Sequence, residues 1–194
     1  MNYFKNYINF ITPNIITGIV FFLFLFPLTT QYIGLEEFGT RAIVLLSLVA
    51  FDICCAYGAI WVIQAYFLEL KENFSRRSFM TTLFLYGLFL KSLFFILYSF
   101  YLHEYFHLFI NWSSDHYKFF FIALISRLLR TSEILMLEAW TMEGRSFVFF
   151  VYKILAFFVV LLSTVYFLVF EDLGLLALFY SDLCLGILSV LFFP

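Results

Sequence analysis

Residues 147–170 read FVFFVYKILAFFVVLLSTVYFLVF, an apolar run in which Lys153 is the one basic residue. A helix rises 1.5 Å per residue and needs about 20 residues to cross the roughly 30 Å hydrocarbon core of a bilayer. This run is long enough. Its apolar residues do not alternate with polar ones, as those of a barrel strand of about 10 residues would. Backbone amides in lipid must be satisfied within a helix or around a closed barrel. The stretch therefore reads as a transmembrane helix.

The same test, moved along the chain, finds spans near 10–33, 41–67, 79–102, 119–140, 147–170 and 173–193. Pro27 falls late in the first and predicts a kink there. The connectors are short except for 103–118, and none resembles a domain linker. The sequence thus predicts an all-α polytopic membrane protein, residues 1–194 forming one bundle of six transmembrane helices. Composition agrees: 64% of the 194 residues are hydrophobic and 12% charged, against about 25% charged in a soluble domain. A net charge of −2 gives no reason to expect nucleic acid as a partner. Cys54, Cys55 and Cys184 lie in apolar runs without zinc spacing or a disulfide framework. No P-loop is present and no cofactor is implied.

Orientation follows from the basic residues of the connectors. Lys5, Lys71, Arg76, Arg77 and Arg145 would share one side, with Arg41 and Lys118 on the other. That asymmetry predicts cytoplasmic N- and C-termini in the cell inner (cytoplasmic) membrane. The first run is longer than the about 7–15 apolar residues of a cleaved signal, so it is expected to remain as a helix. The last span runs to Pro194 with no polar tail, as in one half of a longer carrier or a truncated reading frame.

Ionisable residues within spans are costly, at least about 2.5–3.5 kcal/mol at the bilayer centre, and usually face a bundle interior. Asp52, Lys91, Arg127, Arg130, Glu133, Glu138, Lys153 and Asp182 all fall there. Lys91 and Lys153 have stems long enough to snorkel to an interface instead. In the fourth span Arg127 and Glu138 are close to three helical turns apart and share a face, with Thr131 near it. Arg130 and Glu133 can pair at i, i+3. The stripe is either a polar cavity wall or an internal ion-pair network. As a cavity wall it suits an anion, because the guanidinium fork bonds phosphate through two parallel donors. Arg127, Arg130, Glu138, Lys91, Lys153 and Asp52 are the candidate substrate-binding residues. Asp52 or Asp182 could also serve proton coupling.

His103-Glu104-Tyr105-Phe106-His107 matches the H-E-x-x-H pattern, in which two His hold zinc and the Glu activates its water. A catalytic zinc needs a third protein ligand. His116 stands at no standard spacing, and the stretch lies in an aromatic region of interfacial character with Tyr101 and Trp112. An intramembrane zinc peptidase is the enzyme alternative; the main expectation is no catalytic activity.

Several turns, in order, resemble a known family. Tyr32-Ile33-Gly34-Leu35-Glu36-Glu37-Phe38-Gly39 looks like its turn between helices one and two. Asp52 through Gly58 to Ala65 falls where its members carry a small-residue stretch ending in Arg, a place near which this chain has Gln64. Glu138-Ala139-Trp140-Thr141-Met142-Glu143-Gly144-Arg145 looks like its turn between helices four and five. Glu171-Asp172-Leu173-Gly174-Leu175-Leu176-Ala177 resembles the start of its sixth helix. The chain is in these respects similar to the N-terminal half of the polysaccharide-transporter branch of the multidrug/oligosaccharidyl-lipid/polysaccharide exporter superfamily, which includes the O-antigen and capsule flippases.

The resemblance implies one lobe of a two-lobed alternating-access carrier, completed by a second six-helix lobe or by a homodimer. Its substrate would be a lipid-linked oligosaccharide or polysaccharide precursor, held by its diphosphate. The first helix lacks the cavity Arg of several family members. The remaining alternative is a non-catalytic membrane subunit of a larger complex.

Overall fold

The computed structural model describes residues 3–70, 73–109 and 114–193, with the side chains of 3, 5, 50–51, 54–57, 73–74, 95, 98–109 and 114–116 outside that description. The described residues are almost entirely helical and contain no strand. Helix α1 (Tyr3–Val20) runs through a π-helical turn, Phe21–Leu25, into α2 (Phe26–Tyr32). The Phe26 amide bonds to the Phe21 carbonyl, five residues back. Pro27 has no amide proton to give and its ring presses on the carbonyl four residues before it. The wider turn makes room, so the distortion expected at Pro27 is taken up just before it.

Helix α3 (Leu35–Tyr66) begins ahead of the expected Arg41. The Gly34 amide donates to Glu37 Oε2 at 3.1 Å, and Glu36 and Glu37 lie in the first turn, where carboxylates meet the positive end of the helix dipole. Helix α4 (Asn73–Phe109) follows. The expected fourth span, 119–140, is not one rod. It is divided into α5 (Ser114–Leu129) and α6 (Thr131–Met142), with Arg130 as the turn between them.

The carbonyls at this break are satisfied from elsewhere. Leu129 O accepts from Ser132 Oγ at 2.8 Å and lies 3.1 Å from Ser189 Oγ, while Arg127 O accepts from Lys91 Nζ at 3.0 Å. Helix α7 (Ser146–Val165) ends in a second π turn, Tyr166–Phe170. A tight connector follows, in which Asp172 and Gly174 take positive φ values of 49° and 53°, and it leads into α8 (Leu175–Leu191).

Two apolar clusters mark opposite ends of the molecule. One joins Ile33 at the end of α2, Val44 in early α3, Phe120 in early α5, Leu168, and Leu175 at the start of α8. The other joins Ile63 and Phe67 at the end of α3, Met80 in early α4, Ala139 in late α6, and Phe193. The start of α1 meets the start of α7: Asn9 Nδ2 donates to Ser146 Oγ at 3.1 Å, and Ser146 Oγ donates to Asn6 Oδ1 at 2.9 Å. Successive rods, with α5 and α6 counted as one, therefore alternate in direction.

Among the described residues, Asn6–Tyr32 and Ser146–Phe170 are the helices long and apolar enough to cross a membrane, with mean hydropathies of 2.0 and 2.4. Only 11% and 17% of these stretches is buried. The core helix of a water-soluble protein would be mostly buried. Helix α8 is apolar but shorter, at 17 residues.

In lipid the contacts between helices come from close packing and interhelical hydrogen bonds, because acyl chains are as apolar as Leu. The α5–α8 seam has both. Ser126 Oγ donates to the Asp182 carbonyl at 2.8 Å. A Cβ added to Gly186 would stand 3.0 Å from Leu129 Cβ and 3.1 Å from the Ser126 carbonyl. Backbone cannot step aside as a flexible side chain can. Gly186→Ala is expected to lower stability by about 1–3 kcal/mol, the usual range for overpacking, read as a lower thermal midpoint in detergent.

Candidate functional site

Six of the charged residues within the helices, carried by α3 to α7 and the turn at Arg130, meet as two trios. In the first, Asp52 on α3 stands between Lys91 on α4 and Arg127 on α5. Its Oδ1 accepts from Lys91 Nζ at 3.0 Å and its Oδ2 from Arg127 Nη1 at 2.8 Å. The Lys91 side chain is 0% exposed and that of Arg127 is 25% exposed.

In the second trio Glu133 on α6 is the centre. Its Oε2 accepts from Arg130 Nε at 2.9 Å, and its Oε1 lies 3.4 Å from Lys153 Nζ on α7. Glu133 is buried, whereas Arg130 keeps 27% of its side-chain surface open. A further pair, Arg41 Nη2 to Asp182 Oδ2 at 3.4 Å, joins early α3 to α8.

In each trio two cations share one carboxylate. Taking such groups out of water costs several kcal/mol each unless they are paired and hydrogen-bonded, and the pairs offset that cost. The two guanidinium groups remain partly open, and a guanidinium fork can hold an anion through parallel donors. The lysines point inward: Lys91 to Asp52 and Lys153 to Glu133, rather than along an interface.

The structure brings Asp52, Lys91 and Arg127 together, and Arg130 with Glu133 and Lys153. Glu138 stands apart, accepting from Gln64 Nε2 at 2.8 Å. Arg127 and Glu138 do both face α3, but their partners Asp52 and Gln64 are about 18 Å apart along that helix. The hub role of Glu133 is open to sequence reasoning only in part, since spacing gives its partner at i−3 but not Lys153 on another helix. Arg41, read as a connector residue, pairs with Asp182 across 141 positions, and no local pattern points to it.

Tyr152 is buried between Trp140 and Phe192, with ring centroids at 5.6 and 5.7 Å, and its hydroxyl has no hydrogen-bond partner among the described residues. A buried hydroxyl left unpaired is destabilising. Tyr152→Phe is therefore expected to raise stability by about 1 kcal/mol, read in the same thermal assay.

His103, Glu104 and His107 fall on α4, and their side chains lie outside the described residues, as does that of His116. Among the described residues no group of three His, Cys, Asp or Glu side chains is arranged to hold a metal.

These features define a class: an all-helical protein with two candidate membrane-spanning helices and charge gathered in its interior. Compared with known proteins, the chain matches no family model, no curated protein and no solved structure.

Proposed function

We infer that the chain is a six-span integral membrane protein, with cytoplasmic N- and C-termini, that serves as one lobe of a carrier for an anionic, phosphate-bearing lipid-linked saccharide. The observation that carries this reading is the inversion of polarity. Lys91 and Glu133 are enclosed, while Phe22, Phe89 and Leu162 are 69%, 65% and 65% exposed. Water would favour the opposite arrangement, and large exposed apolar patches mark contact with protein or membrane. The alternating direction of the rods supports the six crossings. Arg76, Arg77 and Arg145 gather at the end that also holds Asn6, as the distribution of positive charge requires for a cytoplasmic N-terminus.

The carrier part of the reading rests on the two partly open guanidinium groups of Arg127 and Arg130 and on the family resemblance of the turns. Arg127 and Arg130 are the proposed anion ligands. Asp52 and Glu133 hold them when no substrate is present, so binding exchanges a carboxylate for a phosphate. A complete passage would need a second lobe, either another chain segment or a second copy.

The test is complementation of a strain lacking its polysaccharide flippase, using this lobe with its partner lobe. The double variant Arg127→Gln/Arg130→Gln is expected to abolish surface polysaccharide. Normal surface polysaccharide from a well-expressed double variant would contradict the carrier reading. A second reading, a non-catalytic membrane subunit, is favoured by the way every interior carboxylate of the trios is already paired. An obligate partner co-purifying with the chain, together with retained function of the double variant, would select it.

A further inference from the structure

A second basic cluster lies outside the trios, at the end of the molecule that holds the last turns of α3 and α6 and the first turn of α4. A pocket of about 410 Å³ opens there, within the about 300–1,000 Å³ typical of ligand sites. Its rim carries Arg76, Arg77 and Arg145 around Glu143, the one carboxylate there among the described residues. Glu143 Oε2 lies 2.6 Å from Arg145 Nε and its Oε1 lies 3.4 Å from Arg76 Nη1. Arg76 is further fixed by donating from Nε to the Leu70 carbonyl at 2.7 Å and by lying 5.4 Å over the Phe67 ring. Among the described residues Arg77 meets no carboxylate, and it is exposed. Among the described residues, then, three guanidinium groups of the rim face one carboxylate. The floor is apolar, with Met136, Trp140 and Phe193.

A cationic rim over an apolar floor fits a ligand with an anionic head and a greasy body. We propose that Arg76, Arg77 and Arg145 bind a phosphate group borne by an anionic membrane lipid, whose chain lies toward Trp140 and Phe193. Phosphate suits three guanidinium groups better than a carboxylate does, because it has more acceptor oxygens to share among their forks. The end of the molecule is the one proposed to face the cytoplasm, where basic pockets between helices meet anionic headgroups. The lipid source rests on the membrane reading above. The phosphate site itself does not, and neither depends on the carrier role of the trios.

The test uses the full chain in an uncharged maltoside detergent, titrated by calorimetry with dihexanoyl phosphatidic acid, dihexanoyl phosphatidylcholine and inorganic phosphate. Phosphatidic acid is expected to bind at least tenfold more tightly than the zwitterionic phosphatidylcholine. Arg77→Gln breaks no ion pair among the described residues, so the fold should be kept, and it should weaken phosphatidic acid about tenfold. Arg77→Lys, which keeps the charge but loses the fork, should fall between. Inorganic phosphate binding as tightly as the lipid would overturn the lipid source and leave a free-phosphate site. Equal affinity of the native chain and Arg77→Gln for every probe, or no binding of any phosphate compound by the native chain, would overturn the site. Retention of the chain in membranes is read separately, so these failures are distinguishable from failure of the membrane placement.

Discussion

Asp52→Asn should lower the stability of the folded chain by about 3–5 kcal/mol, the range seen when one partner of a buried ion pair is removed. Asp52 is the shared counter-ion of Lys91 and Arg127. Without it, an ammonium that is fully enclosed and a guanidinium that is three-quarters enclosed face a neutral amide. Attraction becomes mutual repulsion between two cations held by α4 and α5. The shift in thermal midpoint in detergent should be on the order of 10 °C.

Lys91→Met should be milder, because the Arg127–Asp52 bridge at 2.8 Å survives it. The double variant Asp52→Asn/Lys91→Met should recover part of the loss, since the fully enclosed charge has gone with its partner. An Asp52→Asn protein within about 0.5 kcal/mol of the native one would mean that water reaches the trio and screens it.

Glu133→Gln should have the second largest effect, a loss of about 3 kcal/mol. Glu133 is the more buried of the two central carboxylates and carries Arg130 on one oxygen and Lys153 on the other. Its loss unties α7 from α6 and leaves the turn at Arg130 without its local ion pair. Glu138→Gln provides the contrast. Glu138 lies on the same helix, but its bond to Gln64 is exposed and an amide can replace it. That variant should stay within about 0.5 kcal/mol of the native protein. Equal effects of the two substitutions in a thermal unfolding series would refute the distinction between an enclosed hub and an exposed contact.

Helical structure was legible because apolar runs such as 147–170 admit little else. The Arg130–Glu133 pair was legible from its three-residue spacing. The break between α5 and α6 was not. Residues 119–140 look continuous in hydropathy, and the groups that make the break tolerable, Lys91 and Ser189, arrive from α4 and α8. A local reading cannot see a donor supplied from another helix.

The direction taken by Lys91 was undecided for the same reason. Whether a lysine snorkels or turns inward depends on an acceptor across the bundle, here Asp52 on α3. Arg76, Arg77 and Arg145 were legible only as a sign of orientation. That they converge with Glu143 on one pocket follows from how α3, α4 and α6 end together, a property of packing rather than of spacing.

Alkaline carbonate washing of membranes from cells that make the chain tests the main physical idea most directly: lipid, not water, faces Phe22, Phe89 and Leu162, and the paired charges lie inside. The protein is expected to stay with the membrane pellet after the wash and to leave it only with detergent. Recovery in the carbonate supernatant, as a chain that remains monodisperse in detergent-free buffer, would contradict it.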